Sequence, residues 1–123
     1  MAECHGLWNS WINPNSDFPD LPPIPSDGVL FVDQEDSLGN FPGAHLPTFE
    51  RLSGQCIPPV NTPHRIMIVR TGQSHIYRYQ GDITEDPATG IFVVHGRRIT
   101  IMVPEGKPEL LPDDEVWVGV KTT

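Results

Sequence analysis

The sequence predicts a mainly β, single-domain protein. The expected fold is a small antiparallel sheet of five to six strands, curled into a barrel or sandwich and wrapped by a proline-rich, irregular N-terminal half. Three observations lead there. Ten of the fourteen prolines lie between Pro14 and Pro63, and proline fixes φ and brings no N–H to a ladder. From His64 onward, apolar and polar residues alternate with the period of two that marks strands. A length of 123 residues suits one domain with a core of its own. Residues 1–63 are therefore expected as a wrapping segment, and 64–123 as an antiparallel meander.

Taken in order, residues 3–12 read as a short strand or a helical turn. Trp8 and Trp11, three apart, would share a helical face. Residues 13–25 read as extended or polyproline-like, and Ser26-Asp27-Gly28 as a turn. Residues 29–33 form the one convincing strand of the first half. Residues 34–63 read as loop, with a helical turn over 46–52. In the second half, 65–70 is a strand, Gly72-Gln73 a hairpin turn and 75–83 a long strand. Asp86-Pro87 to Gly90 is a strong turn. Residues 91–95 return, Gly96-Arg97 suits a two-residue connection, and 98–103 leads away. A loop over 104–115 precedes a closing strand at 116–120.

These turns imply a register. Arg70 faces His75, Ile68 faces Tyr77, Ile83 faces Val94, Asp82 faces His95, and His95 faces Arg98. One face then carries Ile66, Ile68, Tyr77, Tyr79, Ile83, Phe92, Val94, Ile99 and Ile101. The other carries Met67, Val69, Ile76, Val93 and Met102 among polar residues, too apolar to stand bare. The proline-rich half, a second copy or a partner is expected to cover it. Phe18, Leu21 and Ile24, spaced by three along a polyproline helix, are the expected docking residues.

Charge divides along the same boundary. Residues 1–63 carry eight acids and one base, and residues 64–123 eight acids and seven bases, which together make the net −8. That balance argues against nucleic acid and against an anionic membrane surface as partners. No apolar run approaches the ~20 residues of a membrane-spanning helix, and the first residues lack a secretory pattern. A cytoplasmic protein with Cys4 and Cys56 as reduced thiols follows as the simpler expectation.

The chemistry-bearing residues form no strong motif. No nucleophile elbow, P-loop or dinucleotide fingerprint is present. Cys4, His5, His45, Cys56, His64, His75 and His95 lack the paired spacings of a metal site, so neither metal nor cofactor is expected. Asp82, His95 and Arg98 come out side by side on three strands. A carboxylate against an imidazole is the raw material of a general base, but a solvent-face ion ladder uses the same residues. Arg70 and His75 are expected to reach water at the sheet rim.

Gly6-Leu7-Trp8 resembles the Gly-x-Trp that opens the first strand of lipocalin-like ligand-binding barrels. The match is three residues long, and irregular chain follows it at 13–25.

Three functions follow. The leading one is a non-enzymatic binding or protein-interaction module, as a homo-oligomer or with a protein partner, using the face around Met67, Val69 and Met102. The alternative is a small-molecule-binding barrel with Trp8, Trp11, Tyr77, Tyr79 and Trp117 lining a pocket. The third is a small hydrolase or isomerase using Asp82 and His95.

Overall fold

In a computed structural model, which describes residues 4–57, 64–73, 75–102 and 114–122, eight antiparallel strands close into one barrel. They are β1 (Gly6–Ile12), β2 (Val29–Val32), β3 (Asn40–Leu46), β4 (Glu50–Ile57), β5 (His64–Thr71), β6 (Ile76–Glu85), β7 (Phe92–Met102) and β8 (Asp114–Lys121). Each pairs with the next, and β8 closes back onto β1. Closure leaves no open sheet edge. An eight-stranded barrel is just wide enough for its interior to be filled by side chains or to hold one small ligand.

The mainly β, antiparallel character holds, but the strand count rises from five or six to eight. The first half is not a wrapper: it builds β1 to β4. Pro42 shows how a proline enters a strand. Its carbonyl accepts from Asp33 N, so its ring nitrogen faces the same side, just past the end of β2, where the ladder needs no donor. The loop and helical turn expected over 34–57 give way to the β3–β4 hairpin. Among the described residues of the first half, 13–26 acts as a cover. There, Trp11 Nε1 donates to Pro22 O at 3.1 Å, and Asp17 Oδ1 reaches within 3.8 Å of His95 Nε2. That places the segment across the outside of β1, β8 and β7, where the outward side chains Trp11, Val93 and Val118 are buried. Ile24 does not dock, being 79% exposed. The loop expected at 104–115 lies, except for its last two residues, outside the described residues.

Pleat parity decides which side chains enter the barrel. Trp8 and Trp11 are on a strand, so their odd spacing sends Trp8 inward and Trp11 outward. In the β5–β6 hairpin the pairs are Ile68 with Tyr79 and Arg70 with Tyr77. The register is two residues from the expected one, so the faces are as read although the partners differ. The four-residue connection 72–75 accounts for the slip. At Gly96-Arg97 no turn occurs. β7 runs straight through, with Gly96 opposite Gly81 and Trp117. A Cβ on Gly96 would lie 1.9 Å from Gln80 O and 2.6 Å from Gly81 Cα, so this glycine serves close strand approach. Continuity reverses the face after it: Arg98 and Thr100 point in, while Ile99 and Ile101 point out, with Ile101 51% exposed.

The barrel has two unlike ends. One holds Cys4, Trp8, Val32, Phe41, Cys56, Ile66, Ile83 and Val94, all buried. Full burial of a side chain such as Ile66 stabilises the fold by about 1.5–3 kcal/mol. Cys4 and Cys56 form a disulfide with Cα atoms 6.0 Å apart, which overturns the expectation of two reduced thiols. The sequence offered no geometry, whereas the fold brings Cys4, two residues before β1, against the end of β4. Trp8 Nε1 donates to Cys4 O at 2.8 Å, so this end has no unmet indole donor.

Candidate functional site

The other end is polar. It is formed where β1, β3, β5 and β7 finish and β2, β4, β6 and β8 begin. At its centre is Asp27, just before β2, with its side chain 6% exposed. The turn is held on both sides: Asp27 N donates to Ser10 O and Ser10 N to Gly28 O, each at 2.9 Å. Gly28 takes φ +75°, and a Cβ there would lie 2.2 Å from Leu46 O, so glycine is required beside the aspartate.

Four donors converge on the Asp27 carboxylate. Ser10 Oγ and Tyr79 OH donate to Oδ2 at 2.8 and 2.7 Å. Arg70 Nη1 and Arg98 Nη1 donate to Oδ1 at 3.2 and 2.9 Å. Arg70 Nη1 also donates to Tyr79 OH at 3.1 Å, and Trp117 Nε1 donates to Ser10 Oγ at 2.9 Å. Two glutamates complete the arginines, each more exposed than the arginine it meets. Arg70 Nε reaches Glu50 Oε1 at 2.5 Å, and Arg98 reaches Glu115 Oε1 through Nε and Nη2 at 3.2 and 2.6 Å. The Tyr77 ring lies 5.0 Å from the Arg70 guanidinium carbon and 4.2 Å from that of Arg98. Tyr79 packs edge-on against Trp117, with ring centroids 5.0 Å apart.

The electrostatics follow from burial and pairing. Burial, reinforced by the Asp27 charge, pushes the Tyr79 phenol well above its ordinary range, so it remains a donor at neutral pH. Burial holds the His45 imidazole below its usual value despite the Asp27 carbonyl. Neutral His45 then donates from Nε2 to Asp27 O at 2.6 Å and accepts from Thr48 Oγ1 at Nδ1, also at 2.6 Å. Burial raises the Glu50 carboxyl, but hydrogen bonds and charge from Arg70 and His75 outweigh it, leaving Glu50 below its usual value. A buried ion network of this kind is weak evidence for stability, since desolvation offsets much of the attraction. It is a reservoir of directed donors and acceptors in a low-dielectric cup.

The expected site residues are distributed as follows. Trp8, Tyr77, Tyr79 and Trp117 all point into the barrel, Trp8 at the apolar end and the other three at the polar end. Trp11 lies outside, under the 13–26 segment. Met67 and Val69 are on the outer face, beside an open groove of about 560 Å³ that Arg78, Pro42 and Gln55 also line. Met102 ends β7, and its side chain is outside the described residues. Asp82, His95 and Arg98 do not come together. Asp82 and His95 are opposed on the outer face, Asp82 is paired with Arg65 at 3.1 Å, and Arg98 faces inward from the strand that His95 shares. The reason is the missing turn at Gly96-Arg97. Arg70, expected at the rim, is 7% exposed. Among the described residues no group of three His, Cys, Asp or Glu could hold a metal ion.

Sequence reasoning missed Ser10, Asp27, His45, Glu50 and Glu115. One signal was present: Arg70 continues the inward set of Ile66 and Ile68, which marks it as an interior cation in need of a partner.

Fold and site together describe a closed antiparallel barrel with one apolar end and one polar, hydrogen-bonding end. Solved structures share the barrel fold. The chain is similar to a biotin-binding protein from chicken, with 14% identity, both chains covered in full and a TM-score of 0.69. It is also similar to the protein titled Xenavidin, with 12% identity, 98% of this chain and 99% of that chain covered and a TM-score of 0.68. The fold thus resembles an avidin-like barrel. No family model matches the chain, and no curated protein does.

Proposed function

We propose that this protein is a non-enzymatic small-molecule-binding barrel whose ligand enters at the polar end. The observation that carries the proposal is the buried network around Asp27. The apolar end closes by packing and a disulfide, so a barrel of this size does not need five charged side chains at the other end to be stable. Convergent polar groups beside aromatic walls are what a ligand site requires. Biotin, for which the chicken neighbour is titled, is the first ligand to try. Its urea N–H groups suit an acceptor such as Asp27, and its carboxylate suits an arginine. The Cys4–Cys56 bridge supports an oxidising compartment rather than the cytoplasm.

The three tryptophans supply the test, because each indole N–H reports a different region. Trp117 donates to Ser10 at the polar end, Trp8 to Cys4 O at the apolar end, and Trp11 to Pro22 O outside. In ¹H–¹⁵N spectra of the labelled protein, titration with biotin and then with a metabolite library should move the Trp117 indole signal and leave that of Trp8 in place. A library that never moves Trp117 sinks the reading.

A second reading has its own observation. Arg78 Nε is buried without a hydrogen-bond partner, in the outer groove that Met67 and Val69 line. A protein surface, including a second copy of this chain, would supply the acceptor and cover the two side chains. Light scattering of Met67→Glu against the parent chain tests self-association: equal masses, both monomeric, remove the second copy.

A further inference from the structure

Arg98 is served unevenly. Its Nη1 donates to Asp27, but Nε and Nη2 both fall on one oxygen, Glu115 Oε1. That edge of a guanidinium presents two parallel donors matched to the two oxygens of a carboxylate. The second oxygen of Glu115 turns outward instead, to Asn13 Nδ2 at 3.4 Å. The edge of Arg98 is therefore half matched: two donors, one acceptor.

Glu115 is also the replaceable partner. It is the second residue of β8, with its side chain 22% exposed against 13% for Arg98, so it lies nearer to solvent than the arginine. Glu50 differs. It is held by Arg70 and also faces His75 Nε2 at 2.9 Å. Beside the half-matched edge lies the Tyr77 ring, a flat surface 4.2 Å from the Arg98 guanidinium carbon. Swinging Glu115 into water would leave Asp27 and Glu50 opposite Arg70 and Arg98, a balanced pair of pairs with one donor fork open.

We infer that the polar end takes a flat organic carboxylate. Its two oxygens replace Glu115 on Nε and Nη2 of Arg98, and its apolar body lies against Tyr77. The inference rests on the ligand-binding reading above and names the chemical class. Glu115 is then an internal stand-in for the ligand, holding the arginine until the ligand arrives. A neutral ligand cannot displace a carboxylate from that fork at similar strength, because charge-assisted hydrogen bonds are about twice as strong as neutral ones.

Benzoate and benzamide share a flat ring and differ in charge, so calorimetric titration of the full chain with each is the test. Benzoate should bind and benzamide should bind at least tenfold more weakly. In Glu115→Gln, which removes the internal competitor, benzoate should bind about tenfold more tightly. Arg98→Lys keeps the charge and loses the fork, and should weaken benzoate about tenfold. Benzoate that binds Glu115→Gln no better than the parent chain overturns the inference, as does benzamide binding as well as benzoate. If benzamide or biotin moves the Trp117 indole signal with no preference for the carboxylate, the class is wrong and the binding reading stands. If none of the three moves Trp117 the class falls, and if the metabolite library does not move it either, the binding reading falls with it.

Discussion

The two ends of this barrel are built from the same eight strands and closed by opposite means. The end around Trp8 is sealed by apolar packing and by the Cys4–Cys56 bridge. The end around Asp27 is filled by charges that satisfy one another: two arginines, three carboxylates, a phenol and an indole. Apolar packing stabilises without direction, whereas a hydrogen-bonded network specifies donors and acceptors at fixed points. The apolar end accordingly stabilises by packing, and under the proposed function the polar end supplies the recognition.

The sharpest way to break this contrast is at Asp27. Asp27→Ala leaves Arg70 and Arg98 facing each other without their shared anion, and should cost about 3–5 kcal/mol in urea unfolding. A loss below about 1 kcal/mol would mean that water already screens the network. At the other end, the bridge closes a loop across a sequence separation of 52. Reduction, or Cys4→Ala with Cys56→Ala, should lower stability by about 4 kcal/mol by chain entropy, read as a lower denaturant midpoint with ligand binding at Trp117 retained in the fraction that is folded.

A smaller effect tests how the polar end is held. His45 has a folded-state pKa below its ordinary value, so below about pH 6.5 the unfolded chain binds a proton that the folded chain resists. Stability should therefore be full above that pH and fall as the pH drops through it, and His45→Gln should flatten the slope. A slope that persists in His45→Gln assigns it to another group. The smallest effect is expected on the outside. Arg65 and Asp82 pair at 3.1 Å with half their side-chain surface in water, so Arg65→Ala should change the midpoint by less than about 0.5 kcal/mol. A large loss there would mean that the outer face carries stability that the contrast assigns to the apolar end.

Much of the second half was legible because its periodicity is strong. The inward parity of Ile66, Ile68, Tyr77, Tyr79, Ile83 and Val94 could be read from alternation alone, even where the hairpin register slipped by two. The first half was legible at β2 and, as one of two alternatives, at β1, but not at β3 and β4, where Pro42, Gly43 and Gly54 weaken the alternation and only pairing with neighbours makes those segments strands. The Asp27 site was hidden for a different reason. Its members come from the 26–28 turn and from seven strands, and nothing in their spacing announces that they meet.

What the sequence by itself determined is local: alternation, and the turns at Asp27-Gly28 and Asp86-Pro87 to Gly90. These depend on neighbours along the chain and on the pleat period of two. Only the tertiary structure decided closure, the Cys4–Cys56 bridge and the face presented by Arg98. The face turns on whether Gly96-Arg97 bends or runs on. Pairing with β6 and β8 on either side keeps it straight, and with that one choice a residue expected on the solvent face enters the barrel and joins Asp27.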